Sequence, residues 1–86
     1  MNLSLGQIGG ETLVLSQFTL CADLRHGKRP GFDDAMKPPE SERLYLRFCE
    51  KLGALDGKPL KTGKFGASMV VSLKNDGPAT FWIEMT

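Results

Sequence analysis

The chain has 86 residues, 41% hydrophobic and 24% charged, which fits one small soluble globular domain spanning residues 1–86. Lys and Arg number 11 against 10 Asp and Glu, so the net charge of +1 excludes a strongly basic nucleic-acid binder, and any RNA contact must come from a local patch. One histidine and two separated cysteines offer no metal-ligand spacing and no loop cradles phosphates, so neither metal nor cofactor is expected; no apolar run is long enough to cross a bilayer.

In chain order, Met1 to Leu5 lacks the basic start and long apolar stretch of a secretory signal. With cysteine so sparse (Cys21 and Cys49), the expected setting is reducing and cytoplasmic. Gly9-Gly10 breaks the chain. Thr12 to Leu20 then carries Leu13, Val14, Leu15, Phe18 and Leu20, a run predicting a central strand buried on both faces. From Asp23 to Pro39 the chain is polar and punctuated by Gly27, Pro30, Gly31, Pro38 and Pro39. That length without periodicity favours a functional loop, and Arg25, Lys28 and Arg29 sit inside it.

Glu40 to Leu52 is predicted as the main helix. Pro38 and Pro39 fit its start, and Glu40 and Glu42 favour the positive end of its dipole. Leu44, Tyr45, Phe48, Cys49 and Leu52 form an apolar stripe, and Gly53 is the predicted C-cap. Beyond it, Ala67, Met69, Val71 and Leu73 alternate with Ser68, Val70, Ser72 and Lys74. After a turn at Asn75 to Pro78, Ala79, Phe81, Ile83 and Met85 alternate with Thr80, Trp82 and Glu84. The pattern predicts an antiparallel pair. The class is α+β, a mixed or antiparallel sheet with one main amphipathic helix.

The chemistry-bearing candidates are few. A Ser16 or Thr19 nucleophile needs an oriented base, and the only histidine, His26, lies beside Arg25 and Lys28. Strict alternation puts Ser16 and Thr19 on opposite faces, so they share a site only where the strand ends or bends. The competing reading is hydroxyls satisfying main-chain groups at a strand terminus. Asn75-Asp76-Gly77-Pro78 is ordinary turn chemistry, although Gly77 permits close approach of a ligand to main-chain atoms. Arg25, Lys28 and Arg29 could grip phosphates or could simply be solvated.

Ser16-Gln17-Phe18-Thr19 and Asn75-Asp76-Gly77-Pro78-Ala79-Thr80 together resemble the two signature motifs of the D-aminoacyl-tRNA deacylases. Met1 to Ser4, Gly10 to Leu20, Gly27 to Phe32, the helix around Leu44-Tyr45 and Phe48, and Thr62 to Ala67 are similar to the same family in the same order. The resemblance implies hydrolysis of the ester between a D-amino acid and tRNA. Ser16, Gln17, Phe18 and Thr19 are the catalytic residues it implies; the backbone and hydroxyl at Ser16 and Phe18 would hold the ester carbonyl and terminal adenosine, with the attacking water assisted by the tRNA ribose hydroxyl. In an older view of the family, Thr19 is the nucleophile. Gly77-Pro78 would carry a cis bond whose carbonyls engage the substrate's α-amino group in the partner subunit's pocket of a homodimer.

Two departures from the family pattern follow. Met1 aligns with an internal position, so an N-terminal portion with strands of the sheet is expected to be missing, and Gly31 stands where the family has serine. The first departure motivates the alternative of a non-catalytic remnant serving as a binding or dimerisation module.

Overall fold

The computed structural model describes residues 3–77 and 79–85. Leu13–Val14 forms β1 and Lys61–Thr62 forms β2, paired parallel with Leu13 opposite Lys61 and Val14 opposite Thr62. The Lys61 N–H donates to the Thr12 carbonyl at 3.0 Å, extending the ladder by one bond. Parallel neighbours need a crossover, and the helix α1, Glu40–Asp56, lies on it. The α+β class therefore stands, with a parallel pair as its sheet.

The strand is shorter than the apolar run predicts. β1 stops at Val14, Gln17 is extended at φ −151°, and Phe18–Cys21 coils into a 3-10 turn. Nor is the strand buried on both faces. β1 has one neighbour among the described residues, and Leu13 stays 59% exposed.

The helix begins where expected and ends later. Pro39 is its N-cap, Glu40 and Glu42 sit in its first turn, and the Pro38–Pro39 peptide is cis. Gly53, the predicted cap, is helical; a Cβ there would meet Leu60 Cγ at 3.7 Å, so this glycine faces a packing neighbour. The cap is Gly57, left-handed at φ 71°, whose N–H donates to the Gly53 carbonyl at 3.0 Å.

The predicted antiparallel pair of 67–74 and 79–85 does not form: neither segment has a ladder bond. Alternation specifies a face, but a hairpin without a third strand or a covering layer is marginal in water. Here that cover is missing among the described residues, with Val70 97% and Met85 90% exposed. The antiparallel pairing that does occur is an isolated bridge between Asp23 and Gly31. Among the described residues Ala35 alone is a buried hydrophobe. The radius of gyration, 15.4 Å, exceeds the roughly 12 Å of a packed domain this long. Among the described residues most large apolar side chains are exposed.

Candidate functional site

A cleft of about 1010 Å³ opens between the chain that follows β1, the apolar stripe of α1, and residues 65–71. Leu15, Ser16, Gln17, Phe18 and Thr19 form one wall. Leu44, Tyr45 and Phe48 form the second, and Phe65, Met69 and Val71 the third. The alternation read from the sequence holds only in part in that third wall: Ala67, Met69 and Val71 line the cleft, but Ser68, assigned to the other face, lines it too and Leu73 does not. Ser16 and Thr19 line it together because the strand ends at Val14 and the chain turns, meeting the geometric condition their spacing imposed.

One side-chain bond holds the start of the Ser16 segment, and a second holds the chain before β1. The Tyr45 phenol donates to the Val14 carbonyl at 3.1 Å, and Lys58 Nζ donates to the Gly10 carbonyl at 3.3 Å. The Tyr45 ring also packs against Phe65, with centroids 5.6 Å apart. Burial raises the Tyr45 pKa above that of an ordinary phenol, and neighbouring Cys49 adds to the effect. Behind the wall Gly63 lets the chain close in: a Cβ there would lie 2.8 Å from both Leu15 Cδ2 and Met69 Sδ. Gly66, at φ +74°, turns the chain from Phe65 into the third wall.

The basic loop has a defined base. The Asp23 and Gly31 main chains exchange hydrogen bonds of 2.7 and 2.8 Å, closing residues 24–30 into a ring with Gly27 at φ 71°. The Asp23 carboxylate accepts from the Arg25 N–H at 3.0 Å and from its Nε and Nη2 at 2.9 Å each. The Arg25 side-chain bond, helped by the Arg25 main-chain bond, holds the Asp23 carboxyl below its usual range; the Asp23 bond pushes the Arg25 guanidinium up. Arg25 is thus committed within the loop, whereas Lys28 and Arg29 make no ion pair among the described residues. None of the three lines the cleft.

His26 also lies off the cleft, and no side-chain base bonds Ser16 or Thr19 among the described residues. Gly77 does not line the cleft, and Pro78, with the predicted cis bond, lies outside the described residues. No group of three potential metal ligands occurs among the described residues, and no described helix is long and apolar enough to cross a membrane. Both cysteines are free thiols. The sequence reading took Tyr45 only as core and passed over Ser41 and Ser68, whose side chains join the cleft lining. Tyr45 carried a signal: a polar-tipped ring within an apolar stripe needs a partner for its hydroxyl.

The class defined is an α+β domain with an apolar cleft, one wall of which is hydroxyl and amide bearing. Residues 1–84 match the family described as D-Tyr-tRNA(Tyr) deacylase, and the chain belongs to that family. It is 60% identical over 84 residues to a D-aminoacyl-tRNA deacylase of Paracoccus denitrificans, covering 98% of this chain and 56% of that protein. It is 54% identical over 85 residues to the like-named protein of Ruegeria pomeroyi, covering 99% of this chain and 58% of that one. Against that of Magnetococcus marinus the identity is 51% over 85 residues, with 99% and 56% covered. The chain thus spans little more than half the length of the curated relatives it matches.

Proposed function

We propose that this protein hydrolyses the ester of D-aminoacyl-tRNA, releasing the free D-amino acid and tRNA, in a cytoplasmic setting. The observation that carries the reading is the convergence of Ser16, Gln17, Phe18 and Thr19 on one wall of an apolar cleft in a member of this family. The amino-acid side chain would lie against Leu44, Phe48 and Phe65, with the ester carbonyl and terminal adenosine toward Ser16 and Phe18. No side-chain base touches Ser16 or Thr19 among the described residues. That geometry favours attack by water assisted from the tRNA ribose over a hydroxyl nucleophile such as Thr19.

The homodimer and the role of Gly77-Pro78 belong to the same proposal. Gly77 does not line the cleft of its own chain, and in this reading its loop would serve the partner's pocket. A Cβ on Gly77 would collide with the main-chain nitrogen of Ala79, so this turn needs glycine. A fuller mixed sheet, in which 67–74 and 79–85 pair as strands, is proposed for the assembled protein. Purified full-length protein should release D-tyrosine from D-tyrosyl-tRNA and spare the L-ester. Equal cleavage of both, or of neither by a folded dimer, would sink the reading.

A second reading has its own observation. The exposed 79–85 segment, with Leu20 and Cys21, borders a groove of about 650 Å³. Phe81, Trp82, Ile83 and Met85 are all largely exposed there, which suits a module that only binds or dimerises. Dimerisation without any D-ester turnover would favour it.

A further inference from the structure

We infer that Tyr45 is a positioning residue for the Ser16–Thr19 wall, acting through the Val14 carbonyl. The inference rests on the reading of that wall as the reaction site. The wall lies just beyond the end of a two-residue strand, and Leu15, Ser16 and Gln17 belong to neither the strand nor the 3-10 turn. A segment without its own ladder is placed by what fixes its ends. At the far end, Phe18 meets Phe32 edge to face, with centroids 4.9 Å apart. At the near end, the 3.1 Å bond from the Tyr45 hydroxyl holds Val14, two positions before Ser16.

The bond spans two elements, since Tyr45 sits on α1, which supplies the opposite wall. One side chain therefore sets the separation between the helix wall and the hydroxyl wall. Its ring, packed on Phe65, joins the third wall to the same point. The phenol is protonated at neutral pH as any tyrosine is, and burial disfavours the phenolate further. Lys58, by contrast, ties Gly10 to the region past α1 and does not line the cleft, so it serves as an internal comparison.

The test compares Tyr45→Phe, Lys58→Met and Ser16→Ala in the full-length protein, with D-tyrosyl-tRNA as substrate. Tyr45→Phe keeps the ring against Phe65 and removes only the donor. Its kcat should fall roughly three- to tenfold, the span of one hydrogen bond, with KM unchanged. Amide exchange at Leu15 to Thr19 should quicken. Lys58→Met should lower the melting temperature and leave kcat intact. Unchanged kcat and exchange in Tyr45→Phe would overturn the inference, as would an equal loss of kcat in Lys58→Met. Full activity in Ser16→Ala would overturn both the site reading and this inference. Loss in Ser16→Ala with none in Tyr45→Phe would remove this inference alone. If the wild-type protein turns over no substrate, the site reading falls, and exchange at Leu15 to Thr19 decides whether Tyr45 holds the segment.

Discussion

Phe18 and Phe32 meet edge to face, their centroids 4.9 Å apart and their planes inclined by 70°. Phe18 opens the 3-10 turn of the hydroxyl wall, and Phe32 directly follows Gly31 at the base of the basic loop. The loop that carries Lys28 and Arg29 therefore stands on the same aromatic contact that bounds the cleft.

Replacing Phe32 separates the geometry of that contact from its burial. Phe32→Leu keeps an apolar side chain and loses the aromatic pairing, worth about 0.5–1.5 kcal/mol. Phe32→Ala should cost more, because contact area goes too. Denaturant midpoints measured on both variants check the order. Equal midpoints for Phe32→Leu and wild type would mean that the ring pairing contributes nothing.

The Asp23–Arg25 pair predicts a pH response of definite sign. The Asp23 carboxyl lies below its usual range because the Arg25 side chain bonds its charged form, the Arg25 main-chain bond assisting. A depressed folded pKa gives a contribution present above the unfolded pKa and lost as pH falls through the folded one. Loop shape should thus hold from neutral pH down past the ordinary carboxylate range and relax only in stronger acid. An NMR titration of the Asp23 carboxyl carbon would show this as a midpoint below that of a free aspartate. Because Arg25 is largely exposed and Asp23 partly so, Asp23→Asn should barely move the melting temperature. Its effect should fall on the Arg25 guanidinium, which keeps one acceptor oxygen but loses the second side-chain bond and its counter-charge.

Much of this is legible in the residues, and what is not has a physical cause. The helix start could be read from Pro38, Pro39, Glu40 and Glu42, all of which act locally. Its end could not, because Gly53 and Gly57 are both plausible caps and no local signal separates them; the helix runs on to Asp56 with Gly57 as its cap. The alternation placed Ala67, Met69 and Val71 together on the cleft, but Ser68 joins them because this stretch is not a strand. Their pairing was not determined by that pattern, since a ladder also needs a neighbour and these residues have none among those described. The Ser16 to Thr19 wall was found by motif. That Arg25 is held by Asp23, two residues away, was missed, although an aspartate so placed commonly bonds the local backbone.

Two glycines should respond in opposite ways. At Gly31 a Cβ would meet only the Asp23 carbonyl, at an ordinary 3.8 Å. Gly31→Ser should therefore be tolerated, with no loss of the main-chain pair to Asp23. At Gly66 nothing stands within 4 Å, yet φ is +74°. Gly66→Ala should destabilise by about 1–2 kcal/mol through backbone strain alone. Thermal melts of the two variants check the contrast, and a Gly31→Ser loss as large as that of Gly66→Ala would contradict it.

Asp56 closes α1 with its charge at the negative end of the dipole, and its Oδ2 is buried without a hydrogen-bond partner. Both features oppose a carboxylate there. Asp56→Asn removes the charge, keeps the shape and supplies a donor. Stability should rise by about 0.3–1 kcal/mol, the usual worth of a helix-end charge. A melting temperature unchanged or lowered in Asp56→Asn would show that the Asp56 carboxylate is compensated elsewhere.

The last prediction concerns which cations of the loop meet tRNA. Arg25 already directs two guanidinium nitrogens at Asp23, while Lys28 and Arg29 form no ion pair among the described residues. Phosphate contacts release counterions, so each one contributes to the slope of log affinity against log salt by about 0.7–0.9. Lys28→Glu with Arg29→Glu should therefore weaken tRNA binding and flatten that slope by roughly one to two units. Arg25→Gln should do less to the slope, because its guanidinium is partly neutralised before tRNA arrives. Binding titrations across a salt series, with uncharged tRNA as the probe, read both effects. A slope unchanged in the double variant would return Lys28 and Arg29 to the solvent, and a larger change in Arg25→Gln would reverse the order argued here.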